Sequence, residues 1–337
     1  MGIVDRYRLR LERKDRRYRA LIRARKDLSI LRKRIDQTKQ DDVLLFAVIR
    51  NERPRLSFFL DYYRKLGINH FCIIDNQSED ESVSFLMEQK DVSLWSAKGS
   101  YARAAYGVHW LNCLLSRYGS GRWCLTVDAD EFFVYPHIDN RPINALTDWL
   151  DVQGKKSFPT LLLDLYPDCD IKEAHCRENE SPIEAAPYFD SGNYTALFNP
   201  KYRNIWFQGG PRQRVFFHAK PEQSPSLNKI PLVKWSKEYV YVHSTHHLLP
   251  AHLNETYAED GGQEISGVLL HTKFTQTFLD KVSEEQDRGM HFEASREYEL
   301  YARALKHGMA LYNENSIRYE NWRQLQNIGL MSQAGWA

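Results

Sequence analysis

RWCLTVDADEFFVY, residues 122–135, decides how the rest of the chain is read. Trp123 to Val127 form a short apolar run of the kind that makes a buried strand. Asp128, Asp130 and Glu131 follow at once, before the apolar Phe132, Phe133 and Val134. Acid therefore sits at the carboxyl end of a strand, and in open α/β sheets ligands bind in the crevice beyond such ends. Asp128 and Asp130, one residue apart, point the same way from an extended backbone. Hard divalent cations take oxygen ligands of this kind and share them with substrate phosphates. The expectation is a Mn²⁺ or Mg²⁺ site that carries a diphosphate. A solvated acidic turn competes with it when the motif is taken by itself, because Asp is common in turns.

Upstream, the same pattern occurs twice. VLLFAVI, residues 43–49, is a continuous apolar run suited to a strand buried on both faces, and it ends in Arg50, Asn51 and Glu52. Pro54 opens LSFFLDYYRKLG, an amphipathic helix closed by Gly67. HFCIID, residues 70–75, is a second buried strand that ends in Asp75 and Asn76, with a helix expected over 79–89, a strand at VSLW (92–95) and a helix from Tyr101 to Tyr118. Strand, polar loop and helix in alternation predict parallel strands with crossover helices. Neither GxGxxG nor a Walker motif is present, so dinucleotide and P-loop sites are disfavoured. Three strand ends thus converge, and an Asp among them can accept from ribose hydroxyls or a base N–H.

Composition sets further bounds. A chain of 337 residues with 42% hydrophobic and 13% aromatic content is not disordered and is long enough to bury a large core. The five cysteines, 72, 113, 124, 169 and 176, include no CxxC pair and are read as reduced thiols of a cytosolic protein. No apolar run is long enough for a membrane span, and no secretory signal is seen. The net charge of +2 hides an asymmetry: residues 1–40 carry 15 Lys and Arg against 5 Asp and Glu, so the rest is at −8. An acidic body argues against nucleic acid as a partner. Residues 5–37 lack Pro and Gly and space Leu11, Tyr18, Leu21, Leu28, Leu31 and Ile35 among many cations, which predicts one long basic amphipathic helix. Peripheral membrane contact, self-association as a coiled coil, a nucleic-acid arm and a plain solvated extension are its readings, the first two preferred.

The second half is less regular. TLLLDLYPDCD, residues 160–170, is read as a strand ending in acids; Asp164 and Asp168, with Glu131, are candidates for the base that takes a proton from an acceptor hydroxyl. Residues 172–200 are read as a surface loop. In GGPRQR, residues 209–214, a glycine pair allows close approach to a ligand, and Arg212 and Arg214 are candidates for holding phosphate or an acidic sugar. Of the late histidines, His271 in VLLHTKF follows a strand-like run and is chosen as a metal ligand, with Lys273 beside it as a diphosphate partner. Helices are expected over 274–308 and in YENWRQLQNIG, with the last residues unstructured.

VIRNE, GINHFCIIDNQSED and WCLTVDADEFF together resemble the glycosyltransferase family 2-like proteins of GT-A fold, in the branch related to family 92 transferases, over residues 42–310. The resemblance implies a nucleotide-sugar-dependent α/β transferase with a mostly parallel sheet. It places Asn51, Asp75 and Asn76 in the nucleotide pocket, and Asp128 and Asp130 on donor and metal. Arg50 and Glu52 join the donor side from the residue reading. The expected organisation is a basic helix over 1–40, a GT-A-like domain over 41–310, and a C-terminal helix and tail over 311–337. The expected function is transfer of a sugar from a nucleotide-sugar donor to a glycan or lipid-linked acceptor, in synthesis of a bacterial surface polysaccharide. It would be inverting, cytoplasmic and peripheral at the inner membrane face. The absence of an ED motif after the DxD leaves base and stereochemistry open. A sugar-phosphate nucleotidyltransferase and a non-catalytic scaffold on a degenerate transferase fold are the alternatives.

Overall fold

The computed structural model describes residues 2–257, 264–275, 278 and 310–336. Helix α1 (Ile3–Asp27) hands over directly to strand β1 (Leu28–Arg32), so the helix read over residues 5–37 is ten residues shorter at its carboxyl end. The reason is a partner that the helical spacing does not reveal: Leu28 to Arg32 pair antiparallel with the strand Val92–Ala97 at the sheet edge. Ladder hydrogen bonds there override a modest helical preference. Asp27 marks the change of direction, buried, accepting from Trp110 Nε1 at 2.9 Å through its side chain and from Lys98 N at 3.0 Å through its carbonyl.

From there the expected alternation appears: β2 (Leu44–Ile49), α2 (Arg53–Leu66), β3 (His70–Asp75), α3 (Ser82–Glu88), β4 (Val92–Ala97), α4 (Val108–Leu114) and β5 (Trp123–Thr126). Gly67 closes α2 at φ 96°, a left-handed conformation that favours glycine. The helix expected over Tyr101–Tyr118 is broken: Ala105, Tyr106 and Gly107 all have positive φ, and α4 starts only at Val108. A Cβ on Gly107 would meet Val48 and Tyr101 side chains at 3.0 Å, so the chain turns where it presses against the sheet.

The remaining elements are β6 (Glu131–Val134), α5 (Ile143–Val152), β7 (Ser157–Asp164), α6 (Pro182–Ala185), β8 (Tyr188–Asp190), β9 (Thr195–Asn199), β10 (Asn204–Gln208), β11 (Asn228–Lys234), β12 (Val240–Tyr241), β13 (Leu248–Leu249), β14 (Gly267–His271), β15 (Ser316–Arg318) and α7 (Trp322–Asn327). One nine-stranded sheet runs in the order β1-β4-β3-β2-β5-β11-β7-β14-β6. Strands β2, β3, β4, β5, β7 and β14 point one way, and β1, β11 and β6 the other. This is the helix-flanked α/β sheet expected of a GT-A-like fold. Alternate residues of β2 enter different cores: Leu45, Ala47 and Ile49 pack with α2 and α5, Leu44 and Phe46 with α4. A strand covered on both faces needs the unbroken apolar run its sequence has.

Three local expectations change. The segment 172–200 is only partly loop, since it supplies α6, β8 paired with β15, and the β9–β10 hairpin. The last residues, expected to lack structure, are held as well: Ser332 bridges to Ser266, and Trp336 is buried against Tyr135, His137 and Trp149. Gly209, at φ 141°, serves the chain rather than a ligand, because a Cβ there would lie 2.2 Å from the carbonyl of Asn193. Residues 274–308, read as helical, lie almost wholly outside the described residues. All five cysteines are unpaired.

Replacing Asp27 by Ala leaves the buried Trp110 N–H without its acceptor. Urea unfolding at neutral pH is expected to show a loss of about 1–3 kcal/mol; an unchanged midpoint would mean that the edge strand, not this contact, holds α1.

Candidate active site

Two neighbouring clusters lie at the carboxyl ends of the parallel strands. At the first, β2 and β3 run in register with Ile49 beside Asp75, so the residues after each strand meet. Arg50 donates from Nη1 to the Asn76 carbonyl and from Nη2 to Glu79, each at 2.9 Å. Asn51, at φ 49°, accepts the Glu79 N–H on its side chain at 2.8 Å, and its own N–H donates to Ser78 Oγ at 2.9 Å. Asp75 is buried and accepts from Ser78 N at 3.3 Å, while Asn76 Nδ2 donates to the Ala97 and Gly99 carbonyls. The five candidates that follow these two strands, Glu52 included, are therefore brought together, and much of their polar capacity is spent on shaping the two loops.

The second cluster surrounds the DAD turn. Glu131, almost fully buried, accepts the Asp128 backbone N–H at 3.1 Å on one oxygen and Lys229 Nζ at 2.8 Å on the other. Buried and held by both contacts, it braces the turn. Lys229 Nζ is also 3.8 Å from Asp128 Oδ2. Asp164 likewise has both oxygens engaged: Oδ1 lies 2.7 Å from His271 Nδ1, and Oδ2 accepts from Arg212 Nε at 2.7 Å. Burial would raise the pKa of Asp164, but the Arg212 and His271 beside it hold the carboxyl at about 2. A carboxylate that acidic only accepts hydrogen bonds, so the His271 proton sits on Nδ1 and Nε2 faces Asp130 Oδ2 at 3.6 Å.

Charges of both signs tune these groups. Burial opposes charge on His271, yet Asp130 and Asp164 outweigh it and raise the imidazole pKa. The Asp128 carboxyl is also raised, first by poor solvation within the cleft and then by Glu131 and Asp130, against the pull of Lys229 and His271. Its side chain keeps 51% of its surface accessible, so it stands at the mouth of the cleft while Asp130, at 17%, lies deeper. Arg55 joins the two clusters, with Nε 3.3 Å from Glu52 Oε2 and Nη1 3.6 Å from Asp130 Oδ2.

The other candidates are placed differently. Arg214 makes a bidentate pair with the buried Asp190 at 2.9 and 3.0 Å and donates to the Leu311 carbonyl, which makes it structural rather than phosphate-binding. Lys273 places its ammonium 5.5 Å from the Phe278 ring centroid. Asp168 is exposed four residues beyond Asp164. Lys229 and Arg55 escape the sequence analysis, although each carries a signal. Lys229 opens the apolar KIPLV run, and a lysine in a strand covered on both faces must have a partner. Arg55 sits in the first turn of α2, where the helix dipole disfavours a cation.

The donor set suits a divalent ion. Two ligand atoms bound at about 2.1 Å to one cation lie about 3–4 Å apart, which the Asp130–His271 spacing of 3.6 Å matches. The buried Asp164 behind the imidazole is the usual support for a metal-binding histidine. Among the described residues no three His, Cys, Asp or Glu side chains converge as a ready cage. Remaining positions would go to phosphate and water, as is common for Mg²⁺.

No family model matches the chain, and no curated protein matches it. Among solved structures it is similar to a mannosyltransferase from Pyrobaculum calidifontis in complex with GDP-Man and Mn²⁺, at 16% identity over 47% of each chain and a TM-score of 0.28. It is also similar to a 4-diphosphocytidyl-2C-methyl-D-erythritol synthase, at 15% identity over 41% of this chain and 65% of that one, with a TM-score of 0.26. A third likeness is to a putative glucose-1-phosphate thymidylyltransferase from Bacillus anthracis in complex with sucrose, at 12% identity over 85% and 93% of the two chains and a TM-score of 0.27. The chain spans about half the length of the first of these and about two-thirds of the second.

The pKa of Asp164, about 2 when folded, lies below the roughly 3.9 of an unfolded Asp, so this group contributes roughly 2–3 kcal/mol of stability. The contribution is complete above pH about 4 and disappears as pH falls toward 2. Urea unfolding of wild type and Asp164→Asn from pH about 5 to about 3 should show a flatter acid dependence in the variant; parallel curves would refute the assignment.

Proposed function

We propose that the chain is a metal-dependent glycosyltransferase that moves a sugar from a nucleotide-sugar donor to a glycan or lipid-linked acceptor. The observation that carries the proposal is the line Asp130, His271, Asp164, in which a buried carboxylate orients an imidazole toward a second carboxylate at 3.6 Å. Asp130 and His271 would hold Mn²⁺ or Mg²⁺, with Asp128 at the cleft mouth as a further oxygen donor. A divalent ion bound there supplies positive charge where the leaving diphosphate develops negative charge.

The chain's own residues divide the remaining work. Asp75 and Asn51 line the end of β2 and β3 and would meet the nucleoside. Arg55 and Lys229 add fixed positive charge beside the aspartates without moving during the reaction. Of the three carboxylates considered as base, Glu131 and Asp164 are buried and paired with Lys229 and Arg212, so deprotonation of the acceptor hydroxyl is assigned to the exposed Asp168, with inversion at the sugar carbon. A bacterial surface polysaccharide and a cytoplasmic site of action remain the assigned context. No helix among the described residues is long and apolar enough to cross a membrane. A nucleotidyltransferase finds no support in Arg50-Asn51-Glu52-Arg53, which offers no glycine loop for phosphate.

Thermal unfolding with a panel of nucleoside diphosphates, each with and without Mn²⁺, tests the proposal. At 100 times its Kd the correct nucleotide should stabilise the fold by about 2.7 kcal/mol. That gain should require the metal and vanish in Asp130→Ala. Asp168→Asn should keep the nucleotide shift and lose about 10²–10⁴-fold in turnover. A panel without any metal-dependent shift would overturn the assignment.

A further inference from the structure

Helix α1 has two apolar stripes on opposite sides. Leu9, Ala20, Ala24 and Asp27 recur at 11, 4 and 3 residues and are buried against the body of the protein. Half a turn away, Val4, Tyr7, Leu11, Tyr18 and Ile22 form a second stripe that is 63%, 60%, 47%, 65% and 36% exposed. Exposed cations flank this outer stripe, with Arg8, Arg19 and Lys26 along one side and Arg10, Lys14 and Arg25 along the other. Arg19 pairs with Asp15 at 2.8 Å. The other five have no carboxylate at ion-pair distance among the described residues. The helix carries 11 Arg and Lys against 4 Asp and Glu, a net of +7.

The surface continues beyond the helix. Ile30 of β1 is 52% exposed. Between α1, β1 and α4 lies a cavity of about 720 Å³ with Leu21, Ile30 and Trp95 among its apolar walls and Arg25, Arg117 and Lys237 among its cations.

We propose that this face docks on a bilayer bearing anionic phospholipid headgroups, with α1 lying in the interface plane. Charge complementarity selects the occupant. A second copy of the chain pairing helix to helix would bring +7 against +7. A nucleic acid would match the arginines but leave Leu11, Tyr18 and Ile22 against phosphate. An anionic bilayer satisfies both features, because an amphipathic helix sinks its apolar stripe into the acyl boundary while its cations meet the headgroups. The inner stripe meanwhile keeps the helix attached to the domain, so docking would hold the whole protein at the membrane. No residue of the candidate active site takes part, and this proposal stands or falls independently of the transferase assignment.

Flotation of the full chain with vesicles of phosphatidylcholine, alone or with about one-third phosphatidylglycerol, tests it. The chain should associate with the anionic vesicles and not with phosphatidylcholine alone, and added salt should release it. Leu11→Ser/Tyr18→Ser and, separately, Arg8→Glu/Arg19→Glu should each weaken association at least about tenfold. Circular dichroism and urea unfolding of both variants should match wild type, since all four side chains are exposed. Absence of association, equal association with neutral vesicles, or variants that associate like wild type would overturn the proposal. So would a dimer in sedimentation, or binding of a random-sequence oligonucleotide, that the same substitutions abolish.

Discussion

The cleft depends on charges that have been taken out of water. Asp164, Glu131, Arg212, Lys229 and His271 are all buried, and removing a carboxylate or an ammonium from water costs several kcal/mol unless partners compensate. The compensation is complete for both carboxylates: Asp164 has Arg212 and His271, and Glu131 has Lys229 and the Asp128 N–H. Neither pair need add stability over an apolar core, but removing one partner would leave a buried charge exposed to that full penalty. Geometry follows from this constraint. The DAD turn cannot tilt without stretching the Glu131–Lys229 pair, and His271 cannot rotate without breaking its bond to Asp164. A fixed turn and a fixed imidazole are what a site needs if its charges are to act without reorganising.

Carboxylates that look alike in the sequence separate by partner. Asp164 and Asp168 both lie in the acid-rich end of one segment, yet Asp164 is on the strand, beside His271 in register, and Asp168 is exposed beyond it. Glu131 follows Asp130 directly but is the first residue of β6, where the pleat turns it inward to Lys229. Spacing along the chain shows where acid accumulates. Which acid reaches solvent is set by the neighbouring strands, and those come from residues about 100 positions away.

The same distinction explains how far the sequence can be read. The parallel strands β2, β3 and β5 and the helix α2 are legible because continuous apolar runs, Pro54 and Gly67 are local signals. Asp130 and His271 are also legible, as an acid and an imidazole at strand ends, although their distance is not. Strand β1 is hidden because its only cause is pairing with β4, and Leu28 and Leu31 fit a helical spacing as well as a strand. Arg214 misleads because a glycine pair beside arginines looks like a phosphate loop. Gly209 instead makes room for the Asn193 carbonyl, and Arg214 holds the buried Asp190. Lys229 and Arg55 are readable only as anomalies, one a cation in an apolar strand and the other a cation at a helix start.

The charges around the cleft do not balance. Glu52, Asp128, Asp130, Glu131 and Asp164 face Arg55, Lys229 and Arg212, which leaves two negative charges before His271 is counted. Poor solvation is the first cause of the raised pKa of Asp128, and Glu131 and Asp130 add to it. Under the proposed function, a site with this balance would repel a bare diphosphate and attract a divalent cation, which would in turn let a diphosphate rest there. Electrostatics alone would therefore make metal and nucleotide bind in order, or together, rather than independently. The fixed cations cannot take over that role, because Lys229 and Arg212 already neutralise the carboxylates beneath the cleft.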